Sequence, residues 1–168
     1  MEYFPDITFL VRWLHVLSGV MWIGLLWYFN FVQTPQMAKI PAEQKGAISG
    51  HIAPAALFWF RWAALSTLVF GLLLAYLNGY VEQALMLGIG KGIPSLTLLG
   101  IGMWFGIIMA ANVWMVIWPN QKKVLGLVEA SADAKAAAAK MAGMASRINT
   151  LLSIPMLFAM VAAQNSPY

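Results

Sequence analysis

Apolar residues gather in four long runs along this chain, Ile7 to Val32, Ala55 to Leu77, Ser95 to Trp118 and Met141 to Ala163. Each is longer than the roughly 20 apolar residues that a helix needs to cross a bilayer core about 30 Å thick. The pattern therefore predicts an all-α polytopic membrane protein, a bundle of four transmembrane helices forming a single domain. Turn-forming residues separate the runs: Pro35 and Pro41 in the first connection, Asn78-Gly79 and Gly92-Ile93-Pro94 in the second, Pro119-Asn120 in the third. No run is an internal repeat of another.

Composition closes off other classes. The chain is 61% hydrophobic and only 10% charged, with a mean hydropathy of +0.75, whereas soluble domains carry about 25% charged residues. Zero cysteines exclude disulfides, thiolate-bound zinc or iron-sulfur clusters, and covalent haem attachment.

The net charge of +4 acquires meaning from position. Lys39, Lys45, Lys122, Lys123, Lys135 and Lys140 fall in the first and third connections, and only Lys91 falls in the second. By the positive-inside bias the lysine-rich connections are expected to be cytoplasmic and both termini outside the cytoplasm. The basic excess is thus a topology signal, and no nucleic-acid partner is expected. The N-terminal tail holds Glu2 and Asp6, no basic stretch and no small-residue cleavage site, so span one is expected to be a retained helix. Ser131-Ala132-Asp133-Ala134 offers an N-cap and an early acid. A cytoplasmic helical extension over about 131–140 is expected there, with Lys135 and Lys140 either solvated or resting on anionic headgroups. Gly88 to Gly92 has no preceding strand and the wrong spacing for a phosphate loop, and reads as a turn.

Candidate chemistry lies in the polar residues inside the runs: Arg12 and His15, Arg61, Asn112, Arg147 and Asn149. Ionisable residues at membrane depth point to function. No Asp or Glu lies inside any run, so the arginines have no carboxylate partner there. Either they snorkel to the interface, or they hold an anion such as haem propionates or a phospholipid headgroup. His15 lies about 12 Å deep and needs a partner, a cavity or a metal. Ser18, Gly19 and Trp22 share its helical face, and the two small residues leave room for a flat macrocycle or for a packed helix. These residues leave open whether His15 is a haem-iron ligand or a structural, hydrogen-bonded histidine. His51, the second metal candidate, stands at the opposite edge of the membrane, so one chain does not easily place both imidazoles on one iron. Arg61 and Arg147 stand where propionates of a haem at His15 would reach, and Arg12, one turn from His15, allows the opposite orientation.

Two further patterns have ordinary and special readings. Met141 and Met144, and Met156 and Met160, are either adaptable packing or soft ligands for Cu(I) or haem iron. Gly102, Gly106 and Ala110 form a small-residue stripe suited to close helix contact, with a neighbour in the same chain or with another copy in a homo-oligomer.

Several segments together resemble one family. Arg12-Trp13-Leu14-His15-Val16 with Gly19 to Gly24, Trp59-Phe60-Arg61-Trp62, Ile107 to Lys123 (IIMAANVWMVIWPNQKK) and Asn149 to Met160 (NTLLSIPMLFAM) resemble, in order, the membrane domain of bacterial urate hydroxylases, the urate oxidase N-terminal family. The resemblance implies a haem-associated helical membrane domain, joined in long members to a cytochrome c domain. This chain is expected to be a short four-helix version, with Ile148 and Gln164 where the long members are expected to carry histidines. His15, Arg12 and Arg61 carry over. The expectation is a b-type haem protein exchanging electrons with a redox partner protein among membrane lipids, with no urate hydroxylation by this chain alone. The alternative is a structural or accessory membrane subunit whose arginines bind lipid or a partner helix.

Overall fold

The computed structural model describes residues 6–89 and 92–165. Four long helices carry the fold: α1 Ile7–Met37, α2 Ala42–Leu77, α4 Pro94–Val124 and α5 Ala132–Asn165, with a short α3, Val81–Leu85, between α2 and α4. Among the described residues there is no strand. All four long helices are apolar and long enough to cross a membrane. The chain is an all-α membrane-spanning bundle. The N-terminal tail with Glu2, and Gly90 and Lys91 of the second connection, lie outside the described residues.

The helices overrun the apolar runs because two of the expected separators are built into them. Pro35 and Pro119 lie inside α1 and α4, and Pro54 lies inside α2. A proline has no N–H for the carbonyl four residues back and crowds it sterically. Those carbonyls belong to Phe31, Gly50 and Met115, and each sits in a wider π-helical turn, Tyr28–Gln33, Ile48–Ile52 and Val113–Ile117. The wider turn takes up the misfit locally and the helix continues. Pro41, by contrast, does separate helices, with extended backbone at φ −53° and ψ 145° before α2.

The remaining ends are conventional. Ser131 Oγ accepts the N–H of Ala134 at 3.2 Å and caps α5. After α2 the N–H of Tyr80 reaches Ala75 O at 3.1 Å, and that of Gly79 reaches Tyr76 O at 2.9 Å. This paired arrangement requires the positive φ of 71° that Gly79 adopts without penalty.

The bundle is two hairpins, α1 with α2 and α4 with α5, laid side by side. Hydrocarbon offers no hydrophobic drive for helices to associate, so packing and interhelical hydrogen bonds must hold them. Within the second hairpin Asn112 Nδ2 donates to Asn149 Oδ1 (2.8 Å) and Ala145 O (3.0 Å), while Asn149 Nδ2 donates to Met109 O (3.0 Å). Between hairpins, Trp27 Nε1 donates to Ser153 Oγ at 2.9 Å, Asn30 Nδ2 to Ser146 Oγ at 2.8 Å, and Trp114 Nε1 to Arg61 O at 3.2 Å.

All of these cross-links between hairpins lie toward the lysine-bearing end. There Trp22, Leu26, Phe60, Met109 and Val113 form a core shared by all four helices. Toward the end that bears the termini α2 and α3 stay packed on α4 through Ala75, Ala84 and Met103, and the hairpins part only on the side of α1 and α5. The small-residue stripe is used within the chain: Gly102 is buried beneath the side chain of Met160, Ala110 is buried in the shared core, and Gly106 lines a cavity. Gly102 and Ala110 are thus taken up by contacts within the chain, and Gly106 is half-buried beside open space.

Candidate functional site

The divergence of the hairpins leaves a cavity of about 580 Å³ in the half of the bundle nearer the termini. Its back wall is α2 and α4, and its front lies between α1 and α5. Val20 and Val161, 68% and 61% exposed, stand on either side of that front and leave it open sideways. The Trp27–Ser153 bond closes the gap between α1 and α5 below it.

His15 projects into this space from α1. Its Nδ1 stands 2.8 Å from Thr67 O on α2. A carbonyl only accepts, so Nδ1 carries the hydrogen and donates it. In the neutral ring Nε2 then holds the lone pair, and it has no hydrogen-bond partner among the described residues. The ring packs against Gly71, where a Cβ would stand 2.8 Å from Cε1 and 3.0 Å from Nδ1. Thr67 and Gly71 are one helical turn apart, so a single face of α2 both anchors the imidazole and makes room for it. Thr67 Oγ1 is itself turned back to Ala63 O at 2.7 Å.

Gly19 and Trp22 also line the cavity. Gly19 faces Thr67, with ordinary contact distance for an added Cβ. Trp22 is buried, and its Nε1 has no hydrogen-bond partner. Met103, Met156 and Met160 contribute thioether side chains to the walls. Arg12, on α1 above His15, lines a smaller adjoining hollow of about 330 Å³ at the end bearing the termini.

The other sequence candidates are elsewhere. Ser18 is half-buried on α1 and lines neither space. Arg61 stacks its guanidinium 3.9 Å above the Trp118 ring and 5.1 Å from that of Phe58, and donates to Leu57 O at 3.4 Å. Arg147 is exposed on α5, and His51 is exposed near the lysine end of α2. The structure therefore does not bring Arg61 or Arg147 together with His15. Nor do Met141 and Met144 approach it, being exposed lower on α5. Ile148 faces outward at 48% exposure, while Gln164 lines both hollows.

Thr67, Gly71, Tyr80 and Met103 were not singled out by sequence reasoning. For Thr67 and Gly71 a signal existed, since two small residues at i and i+4 mark a face that accepts close approach. Among the described residues no three His, Cys, Asp or Glu side chains gather to form a ligand cage for a bare metal ion.

Taken together, the fold and site define a small helical membrane protein with one half-buried imidazole facing a laterally open apolar cavity. Residues 93–166 match the family described as urate oxidase N-terminal, a likeness that covers the second half of the bundle. The matched stretch spans α4 and α5, whereas His15, Thr67 and Gly71 lie before it. No curated protein and no solved structure matches the chain.

Proposed function

We propose that this chain binds one non-covalent haem b in the cavity between α1 and α5, with His15 Nε2 as an axial ligand, and exchanges electrons with a redox partner protein. The observation that carries the reading is the bond from His15 Nδ1 to Thr67 O at 2.8 Å. Histidines that ligate metals characteristically donate their other ring nitrogen to a carbonyl or carboxylate, which fixes the ring and raises its basicity. The cavity volume of about 580 Å³ lies within the span of roughly 300 to 1,000 Å³ typical of ligand pockets. Its walls supply apolar side chains for a macrocycle face, and Gly19 and Gly106 keep that space shallowly filled.

A haem held there supplies a one-electron couple. The chain's own part is to orient the imidazole through Thr67, exclude water with the apolar walls, and tune the site by its low polarity. The orientation proposed is both termini periplasmic, in a bacterial inner membrane, with the lysine-bearing connections cytoplasmic. Urate hydroxylation is not assigned to this chain. The second reading is a structural or accessory membrane subunit whose intramembrane arginines bind lipid or a partner helix, and it draws on Arg147, which is exposed on α5.

The visible absorption spectrum of the protein purified from haem-supplied cells tests the proposal. A Soret band that is removed or strongly shifted in His15→Ala and little changed in His51→Ala is expected, with pigment extractable by acid acetone. Colourless wild-type protein, or a His15→Ala spectrum equal to wild type, favours the accessory reading.

A further inference from the structure

The hollow beside the haem cavity has a chemistry of its own. It shares Leu74, Tyr80, Leu99 and Gln164 with the larger space, so the two adjoin. Arg12, Asn78 and Ser95 add its other polar groups. Three separate parts of the chain deliver them. Arg12 stands three residues before His15 and therefore on a neighbouring face of α1. The glycine turn after α2 places Asn78 and Tyr80 over the mouth. Ser95 stands in the first turn of α4, where aligned peptide dipoles leave a partial positive charge.

Among the described residues the lining therefore offers a guanidinium, a phenol, a hydroxyl, two amides and a helix N-terminus, and no carboxylate. Burial pushes the Tyr80 phenol above its usual range, with the Arg12 guanidinium partly opposing, so Tyr80 remains a protonated donor at neutral pH. An anion is the complement such a set lacks.

We propose that this hollow is a carboxylate subsite, in which Arg12, with Tyr80 and Ser95, holds the acid groups of a ligand whose apolar body lies beside His15. The inference rests on the haem reading and adds a direction to it: the propionates face the end bearing the termini, away from Arg61 and Arg147. Arg61 is engaged by Trp118 and Phe58, and Arg147 lies on the outer surface of α5. A haem dissolved in a bilayer keeps its carboxylates near the headgroups. It would enter through the gap between Val20 and Val161 with its acid end already level with Arg12.

The test compares the affinities of haem-free full-length protein in detergent for ferric haem and for its dimethyl ester. Wild type is expected to prefer the free acid by about ten- to hundredfold, the range of one or two charge-assisted hydrogen bonds. In Arg12→Gln that preference falls to near unity while affinity for the ester stays unchanged. In Arg61→Gln and Arg147→Gln the preference survives. Tyr80→Phe lowers the preference about two- to tenfold, and decides the matter if Arg12→Gln does not accumulate. A preference that survives in Arg12→Gln, that is unchanged in Tyr80→Phe, or that is lost in Arg61→Gln or Arg147→Gln instead, overturns the subsite while leaving haem binding intact. Failure of wild type to bind either compound overturns the haem reading itself, and the subsite with it.

Discussion

The imidazole of His15 occupies the space that a side chain at Gly71 would need, so no other residue fits at position 71 without displacement. A Cβ there would stand 2.8 Å from Cε1, closer than real Cβ atoms come to a neighbour. The ring belongs to a rigid plane tied to Thr67 and cannot swing aside without losing that bond. Four testable consequences of the architecture concern this contact, the asparagine pair, the stacked arginine and the orientation in the membrane.

Gly71→Ala should destabilise the protein by about 1 to 3 kcal/mol, the usual cost of overpacking a filled site, and should lower haem content. The stability loss should largely vanish in the His15→Ala background, where the clashing ring is absent. Thermal unfolding of the two single variants and the double variant in detergent measures this coupling. Equal costs in both backgrounds would show that the His15 contact is not the cause.

Asn149 is completely buried and uses both ends of its amide, accepting from Asn112 and donating to Met109 O. Asn112→Leu leaves its carboxamide oxygen without a donor. We expect a loss of about 1 to 2 kcal/mol, near the upper range for polar bonds between membrane helices. The double variant Asn112→Leu/Asn149→Leu should lose less than the sum of the single variants. Strict additivity in unfolding measurements would mean that the pair does not act as a unit.

Arg61→Leu should keep haem content at the wild-type level, because Arg61 lines neither hollow. It should cost about 0.5 to 2 kcal/mol through loss of the stack on Trp118. Pigment-to-protein ratio and unfolding temperature, read on the same sample, separate the two effects. A pale, fully stable variant would contradict this assignment.

Topology is open to direct measurement. A periplasm-dependent reporter fused after Tyr168 should be active, and one inserted near Lys122 inactive, because the lysines concentrate in the first and third connections. Activity at Lys122 would reverse the orientation, and the Arg12 hollow would then face the cytoplasm.

An all-α membrane bundle is legible in the amino-acid pattern alone. Four apolar runs of sufficient length suffice for that, since a bilayer obliges the backbone to satisfy its hydrogen bonds within each helix. The same pattern also marked His15 as out of place in lipid. It did not determine which face of each helix looks inward, because in hydrocarbon both faces are apolar: Leu151 is 71% exposed while Met109 is wholly buried. Helix ends were misplaced at Pro35 and Pro119 because a π-helical turn absorbs a proline that would otherwise end the helix. Packing alone makes Thr67 and Gly71 the seat of His15, sets Arg12 in the hollow that adjoins it, and turns Arg61 to Trp118 instead. Those choices depend on how far two hairpins diverge at one end, and that distance is set by packing between segments far apart in the chain.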